Sequence, residues 1–142
     1  MQKYSKFDKA YLKMAQEWAK LSYCKRKQVG ALIVKDRMII SDGYNGTPSG
    51  FENCCEDENG QTHWYVLHAE ANAILKLAGS TQSAKGSTLY LTLSPCKECS
   101  KLILQAGIEK LVYINAYSDD EGIIFLKNHN IEIIQVNEDD LN

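Results

Sequence analysis

The spacing of hydrophobic residues along this chain alternates between helical and strand-like patterns. From residue 8 to residue 21, hydrophobic side chains recur every three or four positions, which predicts an amphipathic helix. Two short hydrophobic runs follow at residues 29–34 and 38–41, and the three polar residues between them predict a β-hairpin. Further helices are predicted at residues 68–77, 95–105 and 121–128, and further strands at 89–93, 111–114 and 131–136. This alternation is typical of an α/β fold whose later strands are parallel.

The segment between residues 43 and 61 shows neither the helical nor the strand-like spacing of hydrophobic residues. It holds four glycines, one proline and three asparagines, and this composition predicts a long loop. Loops of this length in compact domains usually bind a ligand, although a tolerated surface insertion would have the same composition. We therefore expect this loop to contribute to a binding site, with the insertion as the alternative.

Length, composition and charge restrict the class of protein. The chain has 142 residues, of which 44% are hydrophobic and 24% charged, so a single domain spanning residues 1–142 is expected. No run of about 18 apolar residues is present, which argues against a membrane span, and the first residues lack the apolar core of a signal peptide. We therefore expect a cytoplasmic protein. The net charge is −2, and the longest basic cluster, residues 25–27, is too short for a nucleic-acid surface but sufficient to bind a phosphate.

The cysteines are the first candidates for chemistry. There are five, an odd number in a chain without a secretion signal, so metal ligands or free thiols are expected rather than disulfides. Cys96 and Cys99 follow Ser94 and Pro95, which predict the start of a helix. At this spacing their Cβ atoms would lie about 5–6 Å apart, which suits two ligands of one tetrahedral zinc, and the helix dipole favours their thiolate form. A redox pair is the main alternative for such a C-x-x-C motif.

A second motif, His68-Ala69-Glu70, also begins a predicted helix. His68 is expected to be a third ligand, which leaves the fourth position for water, as in catalytic rather than structural zinc sites. Glu70 is expected to move protons beside the metal. Two helix N-termini directed at the metal would stabilise thiolates and hydroxide. H-x-E followed by P-C-x-x-C is the signature of zinc-dependent nucleobase deaminases, in which zinc-bound hydroxide attacks the ring and the glutamate transfers protons.

Three segments carry a closer resemblance. The sequences GYNGTPSG at residues 43–50, HAEANAI at 68–74 and LSPCKEC at 93–99 resemble, in this order, the deoxycytidylate (dCMP) deaminase family, in particular its phage and bacterial members. The resemblance extends over nearly the whole chain. It implies a cytidine-deaminase-like fold, a three-layer α/β/α sandwich with a mixed central sheet. It also implies a catalytic Zn²⁺ and the hydrolysis of dCMP to dUMP and ammonia in pyrimidine deoxynucleotide biosynthesis.

The same resemblance assigns residues to the substrate. Asn45, whose amide offers both a donor and an acceptor, is expected to contact the deoxyribose or the phosphate. Arg26 or Lys27 is expected to supply positive charge to the phosphate, with a solvated basic patch as the alternative. Tyr117 lies where family members present an aromatic ring near the substrate. Packing against the core is the alternative for Tyr117 and for Tyr44.

Phage-type members also resemble this chain in a cysteine pair after the glycine loop and a cysteine before the first strand. This resemblance implies a second, structural zinc bound by Cys24, Cys54 and His63, with free buried thiols as the alternative. It leaves Cys55 unassigned. The family further implies a homo-oligomer, a hexamer, regulated by dCTP and dTTP, and it allows deamination of dCTP beside dCMP.

Two other functions fit parts of the sequence. A deaminase acting on single-stranded DNA or tRNA would share the zinc motifs, but it would need a basic groove with interleaved aromatic residues, and the acidic charge balance argues against this. A zinc-stabilised binding module without activity would leave Glu70 and the open coordination position without a purpose. The sequence therefore favours dCMP as the ligand, with neither nucleic acid nor membrane as a partner.

Overall fold

A single mixed β-sheet lies at the centre of the protein, which is described as a computed structural model over residues 4–142. Its five strands are β1 (Gly30–Lys35), β2 (Met38–Tyr44), β3 (Thr88–Leu93), β4 (Lys110–Asn115) and β5 (Glu132–Gln135). They are arranged in the order β2-β1-β3-β4-β5. β1 is antiparallel to both of its neighbours, whereas β3, β4 and β5 are mutually parallel. The predicted parallel arrangement of the later strands is therefore confirmed.

Helices cover both faces of this sheet. They are α1 (Lys6–Ala19), α2 (Ala69–Lys76), α3 (Lys97–Gln105) and α4 (Glu121–Lys127), with short 3₁₀ helices at Leu77–Gly79 and Glu138–Leu141. Alternate residues of β1, such as Leu32 and Ile33, enter two separate hydrophobic layers, since side chains of a strand alternate between its faces. One layer is completed by α1 and the other by α2, α3 and α4. The predicted three-layer α/β/α sandwich is confirmed.

The ends of two elements differ from the prediction for local reasons. The first helix begins at Lys6, earlier than predicted, because Ser5 and Asp8 form a reciprocal capping box. β2 continues to Tyr44, so it includes the first residues of the segment that we predicted as loop. Its turn from β1 contains Asp36 and Arg37, both with positive φ, as two-residue hairpin turns of type I′ require.

The glycine-rich loop therefore begins at Asn45. Two isolated β-bridges fold it back on itself, one between Gly46 and Leu67 and one between Glu56 and Thr62. Residues of this loop line one cavity together with Leu93 and Ser94, at the carboxyl end of β3. Open α/β sheets commonly bind ligands at this end of their strands. Within residues 4–142, none of the helices has the length and apolar character needed to cross a membrane.

Candidate metal centre and active-site cavity

Two helices begin at the same place in the fold, and the N-cap residue of each is a predicted ligand. His68 is the N-cap of α2, and Cys96 is the N-cap of α3. The Cys96 sulfur accepts the backbone N–H of Cys99 at 3.5 Å. We expected Ser94 to cap this helix, and that prediction is wrong, because its hydroxyl oxygen accepts the backbone N–H of Tyr117 at 2.7 Å instead.

The donor atoms of the three predicted ligands converge. Nδ1 of His68 lies 3.3 Å from Sγ of Cys99 and 3.6 Å from Sγ of Cys96, and all three atoms lie within 4.8 Å of one another. Ligand atoms around a tetrahedral zinc lie roughly 3.3–3.8 Å apart, given the usual Zn–N and Zn–S bond lengths. Neither cysteine is in a disulfide. The donor set therefore fits one zinc ion with one coordination position left open.

Hydrogen bonding within this cluster leaves its charge on one sulfur. The hydrogen bond from the Cys99 thiol, with the further contact to His68, lowers the pKa of Cys96 to about 3. The same hydrogen bond, together with burial, raises the pKa of Cys99. The hydrogen bond with Cys96 raises the pKa of His68. Two helix N-termini at this point favour negative charge, and a divalent cation would replace the proton that the two sulfurs share.

Glu70 lies in the first turn of α2, two positions after His68. It is the second residue of α2, and only 3% of its surface is exposed. Burial raises the pKa of its carboxyl group to about 7. A carboxyl group with a pKa near neutrality both accepts and donates protons readily at physiological pH, which is what a proton-transfer residue requires.

A cavity of about 280 Å³ opens beside these groups. His68, Glu70 and Cys96 form part of its wall. All four predicted substrate residues also line it, namely Asn45, Arg26, Lys27 and Tyr117. Tyr44 lies in β2, where its carbonyl oxygen accepts a hydrogen bond from the Asn72 amide at 2.8 Å. The structure thus brings the candidate metal, proton-transfer and substrate residues to one cavity.

Asn45 is buried, and its side chain is bound to the backbone of the neighbouring segment. Its Oδ1 accepts the N–H of Val29 at 2.8 Å, and its Nδ2 donates to the carbonyl oxygen of Lys27 at 2.8 Å. One lone pair and one N–H of the amide remain for a ligand. The position of Asn45 on the cavity wall is therefore fixed by contacts that the sequence did not reveal.

Lys27 and Tyr117 lie against each other at this cavity. The Lys27 ammonium is 4.4 Å from the centre of the Tyr117 ring, a cation–π contact. The backbone of Tyr117 is in turn held by Ser94. We did not anticipate Ser94 or Glu56 as wall residues, since nothing in the pattern around a single serine or glutamate marks a contact with a segment distant in sequence.

The structure contradicts the predicted second metal site. Cys24 is in a disulfide with Cys55, so it is not available as a ligand, and the expectation of free thiols or ligands is wrong for both cysteines. Cys54 is exposed, and His63 stacks on the ring of Tyr65. Among residues 4–142, the cluster described above is the one group of three or more ligating side chains that converge in this way. Cys55, the member of the adjacent pair that forms the disulfide, is buried, whereas Cys54 is exposed.

Comparisons with known proteins identify zinc-binding deaminases as relatives of this chain. A family model described as the cytidine and deoxycytidylate deaminase zinc-binding region matches residues 5–115. The deoxycytidylate deaminase of Enterobacteria phage T4 is 34% identical, with 85% of this chain and 85% of that protein covered. That of Mycobacterium phage D29 is 38% identical, with 75% and 93% covered. The dCMP deaminase of cyanophage S-TIM5, solved with dCMP and dUMP, has a TM-score of 0.91 and 46% identity, with 95% of this chain and 100% of that chain covered.

Proposed function

This chain belongs to the cytidine and deoxycytidylate deaminase family of zinc enzymes, and we propose that it converts dCMP and water into dUMP and ammonia. The observation that carries this proposal is the buried carboxyl group of Glu70 in the same cavity as His68 and Cys96. The dCMP and dUMP bound by the S-TIM5 enzyme support the choice of substrate.

The metal-binding part of the proposal rests on the converging donor atoms. His68 and the two cysteines Cys96 and Cys99 would hold one zinc, since a nitrogen and two sulfurs at these separations are typical zinc ligands. When bound, zinc supplies Lewis acidity that lowers the pKa of water in the open position. The N-termini of α2 and α3 would stabilise the two thiolates beneath it.

Glu70 performs the proton transfers of the proposed reaction. Its carboxylate takes a proton from the attacking water as the water oxygen bonds to C4 of the cytosine ring, and the resulting acid protonates N3. Glu70 then takes the remaining proton from the new C4 hydroxyl and delivers it to the exocyclic amine, so that the C4–N bond breaks, the C4 carbonyl forms and ammonia leaves. Its pKa of about 7 supports both directions of transfer.

The nucleotide part of the substrate would lie along the wall formed by the basic segment and the glycine-rich loop. Arg26 and Lys27 supply positive charge for the phosphate, and Lys27 is held against the Tyr117 ring. The free N–H and lone pair of Asn45 would bind the deoxyribose or the phosphate. Because these residues offer only a small basic patch and the net charge is −2, a single nucleotide suits the cavity better than a polynucleotide.

An ammonia-release assay tests this proposal with dCMP, CMP, deoxycytidine, dCTP and a cytosine-containing oligonucleotide side by side. We expect the highest kcat/KM with dCMP. A higher kcat/KM with the oligonucleotide than with dCMP would overturn the substrate assignment. A higher kcat/KM with dCTP would indicate that the phosphate site accommodates a triphosphate. The hexamer and the regulation by dCTP and dTTP stay predictions from the family resemblance. The same assay with added dCTP or dTTP tests the regulation.

A further inference from the structure

The carboxylate of Glu56 connects the glycine-rich loop to the basic segment. A single oxygen, Oε2, accepts the backbone N–H of Lys25 at 3.0 Å and that of Arg26 at 3.1 Å. Glu56 is half-buried and lines the cavity. Two backbone N–H groups thus donate to one carboxylate oxygen. Hydrogen bonds to a charged acceptor are stronger than hydrogen bonds between neutral groups.

Glu56 is itself held in place from two directions. Its neighbour Cys55 is bonded to Cys24, the residue that precedes Lys25, so a covalent link lies directly beside the two hydrogen bonds. On the other side, Glu56 is paired with Thr62 in an isolated β-bridge. The backbone that carries the Glu56 side chain is therefore held by a covalent bond on one side and by a β-bridge on the other.

The segment that Glu56 holds has no regular structure of its own. Residues 25–29 belong to neither a helix nor a strand, so side-chain contacts determine the course of the backbone there. Asn45 holds its second half through Lys27 and Val29, and Glu56 holds its first half. Because the carboxylate occupies the N–H groups of Lys25 and Arg26, these two groups are not available to bind an anion at this wall.

We propose that Glu56 is a positioning residue for the phosphate of the substrate, which it affects by fixing the backbone from which Arg26 and Lys27 extend. This inference rests on the proposed function. The direction in which dCMP binding changes when Glu56 is removed distinguishes this role from a direct electrostatic effect. A carboxylate near a phosphate repels it, so a purely electrostatic role predicts that removing Glu56 improves dCMP binding. A positioning role predicts the opposite, since a released segment must be ordered again when the phosphate binds.

Two substitutions separate these effects. Glu56→Gln removes the charge but keeps an oxygen that accepts both N–H groups, whereas Glu56→Ala removes both. Kinetics are measured with dCMP and with deoxycytidine, which lacks the phosphate. For Glu56→Ala we expect the KM for dCMP to rise about tenfold with little change in kcat and with kcat/KM for deoxycytidine unchanged. For Glu56→Gln we expect a KM for dCMP close to that of the wild type.

Glu58→Ala is the matched control, because it removes an exposed carboxylate from the same loop. The inference is overturned if Glu56→Ala weakens turnover of dCMP and deoxycytidine equally, which indicates a general structural role. It is also overturned if the KM for dCMP falls or stays unchanged in Glu56→Ala. A wild type without preference for dCMP over deoxycytidine overturns the proposed phosphate recognition, and this inference with it. If Arg26→Ala and Lys27→Met reduce that preference but Glu56→Ala does not, only the role of Glu56 fails.

Discussion

Nδ1 of His68 lies 3.3 Å from Sγ of Cys99, although 31 positions of sequence separate the two residues. The contact joins the start of α2 to the first turn of α3. An ion bound there would link two helices that contribute to the same hydrophobic layer on one face of the sheet. The candidate metal site is therefore also a structural link between α2 and α3.

Removal of the metal should consequently affect both stability and activity. Zinc that binds only the folded chain stabilises it by about 4 kcal/mol when free zinc exceeds its dissociation constant a thousandfold. We expect a chelator to lower the thermal midpoint and abolish ammonia release, and added zinc to restore both. Calorimetry, metal analysis and the activity assay on the same samples measure this. Full activity in a chain shown to be free of metal would contradict the proposed site.

Glu70→Gln should separate metal binding from proton transfer. The amide is nearly the same size but cannot carry the proton, so kcat should fall by roughly 10²- to 10⁴-fold while zinc content stays at the wild-type level. Glu17→Gln, an exposed carboxylate on α1, is the control for loss of one negative charge. Metal analysis and ammonia release are measured on both variants. Wild-type turnover by Glu70→Gln would remove Glu70 from the mechanism.

The Cys24–Cys55 disulfide should stabilise the fold. The two cysteines are separated by 31 positions, and a closed loop of this length reduces the entropy of the unfolded chain by about 3 to 4 kcal/mol. We expect the free energy of unfolding in urea to fall by a comparable amount when reductant is present. Alkylation of the denatured chain, with metal removed, should modify the three cysteines outside the bond without reductant. Modification of all five without reductant would contradict the disulfide.

Much of the fold could be predicted because it depends on local patterns. The helical spacing before residue 21 and the alternation after residue 68 located the four α-helices of residues 4–142, whereas the three-layer arrangement was implied by the family resemblance. The ligand cluster could also be predicted, since His68 and Cys96 each lie at a helix start that the sequence marks. Local sequence preferences of this kind do not depend on contacts with residues distant in sequence.

The contacts that shape the cavity wall could not be predicted in the same way. Asn45 binds the backbone of Lys27 and Val29, and Glu56 binds that of Arg26, across sequence separations of 16 to 30 positions. The choice of Cys55 over Cys54 as the partner of Cys24 depends on which of two adjacent side chains points inward. A loop without periodicity contains no signal for either, because its conformation is determined by the long-range contacts themselves.

Gly43→Ala should disturb the site through the backbone of α2. A Cβ at Gly43 would lie 2.6 Å from the carbonyl oxygen of Ala69 and 2.8 Å from the nitrogen of Ala73, so the helix that carries Glu70 must move away from β2. We expect the free energy of unfolding to fall by about 1 to 3 kcal/mol, and kcat/KM to fall with it. Gly46→Ala is the matched control, since nothing lies within 4 Å of its added Cβ, and its effect on stability should stay within about 0.5 kcal/mol. Urea denaturation of the two variants measures the difference in the free energy of unfolding. Equal destabilisation by both would show that close packing of β2 on α2 is not the reason why residue 43 must be glycine.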